Sequence, residues 1–121
     1  MDTVNDLHHR EHQEWLSLIH FYEDELKIFR SELLRVADKH PNLPSIEGQV
    51  LEYKSFFNRK EDRLDKLKFG ISQHELSLSH SAHFSHKSSE SHHEIRDVIE
   101  SFKSDFEQLK ISFRRFASHN D

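Results

Sequence analysis

Cysteine is absent from this 121-residue chain, which excludes disulfides, zinc–thiolate sites, iron–sulfur clusters and thiol catalysis together. Strong metal ligands are therefore limited to His and carboxylates. Gly and Pro number two each, so the chain has few places to turn and long helices are expected. No uninterrupted apolar run exceeds three residues, too few for a membrane span, and the amino-terminal MDTVNDLHHREHQE lacks the basic-then-apolar pattern of a secretory leader. The expectation is a cytoplasmic protein with no membrane association. A basic excess is also missing: 17 Lys and Arg against 22 Asp and Glu leave a net charge of -5, which argues against nucleic acid as a partner. Ser is abundant, but no Gly-flanked strained turn presents one as a nucleophile, so hydrolytic catalysis is not expected.

With 34% hydrophobic against 32% charged residues, the chain suits a thin, elongated core. Steps of three and four residues select Trp15, Ile19, Tyr22, Leu26, Phe29, Leu33 and Val36, with His12 and His40 at the two ends of the stripe. The same stepping selects Ile46, Val50, Tyr53, Phe57, Lys60, Leu64, Leu67, Ile71 and His74, then Ile95, Ile99, Phe102, Phe106, Leu109, Phe113 and Phe116 behind His92. The pattern predicts a single all-α domain, an antiparallel up-down-up three-helix bundle with coiled-coil-like heptad seams. Helix one is expected over about 5–40, ended before Pro41; helix two over about 45–80, capped by Ser45; helix three over about 91–118, with Ser91 and Glu94 as a capping box. A His- and Ser-rich connection over about 80–90 joins the last two.

That topology gathers residues distant in sequence. Nine of the 12 His fall in residues 1–14 and 72–97, and all three stripes run out in His at one pole of the rod. Imidazoles and carboxylates projecting inward from facing helices can hold zinc, iron, manganese or copper. The candidate ligands are His8, Glu11, His12, His74, His92, His93 and Asp97; His8 and His12, like His93 and Asp97, stand four apart on one helix face. His80, His83 and His86 are expected in the solvated connection, His20 and His119 on the surface, and His40 at a helix C-terminus where a cation favours the dipole. Lys60 breaks the second stripe, and the folded-back register sets it level with Glu25 as an expected ion pair. Leu16, Phe21 and Phe56 flank the stripes and are candidates for a homodimer surface. A bundle without metal, structural or interacting with another protein, is the alternative. Protonating every His would carry the charge from -5 to +7, which makes a pH response part of that alternative.

The HxxxH spacing of His8 and His12 and the HxxxxD spacing of His92 and Asp97 resemble elements of haemerythrin-type di-iron bundles. That family uses four helices and a different order of motifs. WLSLIHFYEDELKIFRSELLRVADKH from Trp15 and HHEIRDVIESFKSDFEQLKISFRRF from His92 resemble small all-helical proteins of unassigned function from Bacteroidetes-type bacteria. The resemblance implies a small bacterial helical protein and assigns no catalytic role to any residue.

Overall fold

The computed structural model describes the backbone of residues 4–80 and 86–121, and side chains over 6–76 and 92–121. Three helices make up an all-α bundle: α1 (Val4–Lys39), α2 (Pro44–His80) and α3 (His86–His119). At ~1.5 Å per residue the 36 residues of α1 form a rod about 54 Å long. Pro44, rather than a capping Ser45, opens α2, where its fixed φ suits the first helical position and its missing N–H costs nothing. Helix α3 begins several residues earlier than its capping-box signature implied, so Ser91 and Glu94 lie inside it. His83 lies outside the described residues, as do the side chains of His80 and His86.

Burial follows the three stripes. Trp15, Ile19, Leu26, Phe29, Leu33 and Val36 of α1 meet Tyr53, Phe57, Leu64, Leu67 and Ile71 of α2 and Ile99, Phe102, Phe106, Phe113 and Phe116 of α3 in one cluster. His9 pairs with Glu75, Glu23 with Lys68, and Arg30 with Glu61, so positions fall along α2 as they rise along α1. Arg63 with Asp105 and Tyr53 with Ser112 give the same opposed order between α2 and α3. At the corner end, His40 Nε2–H donates to the Asn120 carbonyl at 3.0 Å, so this ring serves the end of α3 instead of its own helix.

The Lys60–Glu25 ion pair does not form. Glu25 pairs with Lys110 of α3 at 3.5 Å. Folding-back fixes height along the rod but not the side of the helix: Glu25 sits on the border of α1 that meets α3, whereas Lys60 lines the groove between α2 and α3. Of the flanking apolar residues, Phe21 is exposed while Leu16 and Phe56 pack against the core. Among the described residues, no helix is long and apolar enough to cross a membrane.

Candidate metal centre

The spacing that buries apolar residues also carries His into the interior. His12 stands one turn before Trp15, His8 one turn before that, His74 one turn after Ile71, and His92 two turns before Ile99. All four are buried: His12 is 0% exposed, His92 1%, His74 5% and His8 8%. Ring centroids of His12, His74 and His92 lie 4.9–5.2 Å apart, and His8 stacks on His92 at 3.6 Å with planes 4° from parallel. Trp15 closes the core side of the cluster, 4.7 Å from the His92 ring.

Hydrogen bonds assign the tautomers. Glu75 Oε1 accepts from His12 Nδ1–H at 2.5 Å, which makes Nε2 the lone-pair nitrogen of neutral His12. That nitrogen lies 2.9 Å from His74 Nδ1, which must then donate to it, so Nε2 is the lone-pair nitrogen of His74. On α3, His92 Nε2–H donates to Glu11 Oε1 at 3.1 Å. That leaves Nδ1 as the lone-pair atom of His92, and it is buried with no hydrogen-bond partner among the described residues. An orphaned buried acceptor is costly.

Burial above all keeps His8, His12 and His92 neutral. Burial, followed by the facing imidazoles of His92, His74 and His12, lowers the His8 pKa to about 4. Burial also lowers His12 and His92, outweighing the opposing pull of Glu75 and Glu11. Burial pushes the Glu11 carboxyl upward, but hydrogen bonds from His92 and Arg96 together hold it below the usual range. Arg96 reaches both Glu11 oxygens, at 2.8 and 2.9 Å. Glu75 is likewise held low against its burial by bonds from His12 and His9. His8, His12 and His92 are thus held neutral beside ionised Glu11 and Glu75, the protonation states that metal ligation requires.

His8, His74 and His92 offer one ligand atom each, all within 4.8 Å of one another and one from each helix. An ion about 2.0–2.1 Å from three nitrogens in tetrahedral array needs them about 3.3 Å apart, so the ligand atoms would have to draw closer to hold one. The stack sets a further condition. Imidazole lone pairs lie in the ring plane, and two parallel rings at 3.6 Å cannot both aim at one ion, so either His8 or His92 would have to turn to hold one.

The other expected ligands take different positions. Glu11 reaches the cluster through His92, and His12 stands behind His74. His93 and Asp97 are exposed, and the convergent set does not include them. His93 follows a buried position by one residue, hence about 100° round the helix and outward. Glu75 and Arg96, which hold His12 and Glu11, were not among the expected ligands; the signal for Glu75 was its place beside the seam residue His74. No protein-family model, curated protein or solved structure matches this chain.

Proposed function

We propose that the bundle binds one transition-metal ion through His8, His74 and His92. The observation that carries this is the convergence of three buried imidazoles, one per helix, with ligand atoms within 4.8 Å. Metal-bound His characteristically gives its second N–H to a carboxylate, which fixes the tautomer and raises basicity. Glu11 stands in that relation to His92, and Glu75 to His74 by way of His12. Three nitrogen donors suit zinc, copper or iron. Manganese gains less here, because both nearby carboxylates already accept hydrogen bonds from the rings. His92 is anchored by Glu11 and packed on Trp15, which assigns the ring rotation to His8. A three-ligand centre leaves a coordination position for water or an exchanging ligand, and reversible storage or sensing is the role that follows.

The second reading is a metal-free structural bundle, favoured by one observation, the parallel His8–His92 stack at 3.6 Å. Calorimetric titration of untagged, chelator-stripped protein with zinc and copper separates the two. One ion per chain, lost in both His74→Ala and His92→Ala, supports the metal centre. Undiminished binding by those variants transfers the metal to other His residues, and no binding leaves a packed polar layer.

A further inference from the structure

Lys60 occupies a stripe position where every neighbour in the pattern is apolar, yet its ammonium makes no ion pair or hydrogen bond among the described residues. The carboxylate at its height, Glu25, is taken by Lys110 on the other side of the bundle. Lys60 is half-buried in a cavity of about 460 Å³ between α2 and α3, within the range of small-molecule sites, about 300–1,000 Å³. Arg59 lines the same cavity, with its guanidinium 5.1 Å from the centre of the Phe56 ring, and Arg63 follows one turn along α2. Asp105, the single carboxylate lining the cavity, already binds Arg63 at 2.8 Å. Among the described residues, Lys60 and Arg59 therefore form no ion pair with a carboxylate, Arg59 giving only a 3.4 Å hydrogen bond to Ser55 Oγ, at an apolar surface made by Phe56 and Leu109 in a chain whose net charge is -5. Burial, and then Arg63 and Arg59, hold the Lys60 ammonium below the usual lysine range against the pull of Asp105.

We propose that this groove binds a small carboxylate-bearing amphiphile, its carboxylate paired with Lys60 and Arg59 and its hydrocarbon part laid on Phe56 and Leu109. The charge supplies what the fold leaves uncompensated, and partial exclusion of water strengthens the pairing. The apolar part distinguishes such a ligand from a bare anion, which would pair with the cations but leave Phe56 and Leu109 wet. The groove and its ligand are independent of the His cluster, since none of the lining residues belongs to that cluster.

The test is titration of the whole protein with octanoate, followed by calorimetry and by backbone amide shifts. Octanol supplies the chain without the charge, and acetate the charge without the chain. The expected result is one saturable octanoate site with shifts centred on Phe56, Lys60 and Leu109, and binding at least about tenfold weaker for octanol, for acetate, and for octanoate with Lys60→Met. Methionine at a stripe position suits the fold, and a thermal melt of the variant verifies it. Absence of saturable binding, equal affinity for octanol, equal affinity of Lys60→Met, or shifts centred elsewhere would each overturn the proposal.

Discussion

Near the corner, Phe29, Phe57, Phe113 and Phe116 meet with ring centroids 5.1–6.4 Å apart, and Tyr53 seals the layer by bonding Ser112. At the far pole, four imidazoles fill the equivalent stripe positions at 3.6–5.6 Å. The phenylalanines need no partners: burying each apolar ring is favourable in itself. Each imidazole must instead exchange water for another hydrogen-bond partner, which is why Glu11, Glu75 and Arg96 are drawn to that end. Packing alone would be served better by four more apolar residues. The contrast teaches that the His pole holds together only with carboxylate and guanidinium partners, whereas the Phe layer joins the three helices by packing alone.

The contrast breaks most severely in the aromatic layer. Phe57→Ala or Phe113→Ala, each emptying a position that is 0% exposed, is expected to cost about 3–5 kcal/mol in urea unfolding. Replacing His8, His12, His74 and His92 together by Leu is expected to do the opposite, raising stability by about 1–4 kcal/mol while abolishing metal binding. A large loss in that variant would mean that the polar layer stabilises the fold. Between these extremes, Glu11→Gln and Glu75→Gln keep the rings but remove the charge behind them. Each is expected to weaken zinc affinity by about 10–100-fold in competition with a chelator.

Acid acts on the His pole. In the unfolded chain the His residues take up protons near 6.5, whereas in the fold His8 resists protonation down to about 4 and His12 and His92 are also lowered. The unfolded state therefore binds more protons across that window, and stability that is complete above 6.5 declines as pH falls toward 4. The melting temperature of metal-free protein is expected to drop by about 5 °C or more between pH 7 and 4.5. The four-Leu variant should lose much less over the same range. The smallest effect is expected from glycine. Gly48 lies toward the aromatic end of α2 and Gly70 toward the His end, and a Cβ at either meets nothing within 4 Å. Gly48→Ala and Gly70→Ala should each add about 0.5–1 kcal/mol, equal within error if the poles differ only in their seams.

The three helices and their buried faces were legible because a 3.6-residue period leaves its mark on every turn, from Trp15 to Val36 and from Ile99 to Phe116. His12, His74 and His92 were legible for the same reason: they continue those stripes. What the period does not encode is which neighbour a border residue faces. Glu25 and Lys60 share a height yet meet different grooves, and Lys110 claims the carboxylate. His93 and Asp97 matched a ligand spacing between themselves, but a spacing of four places two residues on a common face without saying that the face is the inner one. Glu75 illustrates the converse. It lies one residue off the seam, too far round to enter the cluster, yet its side chain is long enough to reach back and hold His12.

X-ray absorption at the zinc edge of the loaded, untagged protein tests the metal centre most directly. Three imidazoles at one ion predict about three nitrogen scatterers near 2.0 Å, with the outer-shell pattern of His rings, all lost in the four-Leu variant. A shell dominated by oxygen, or a spectrum that the four-Leu substitution leaves unchanged, would contradict it.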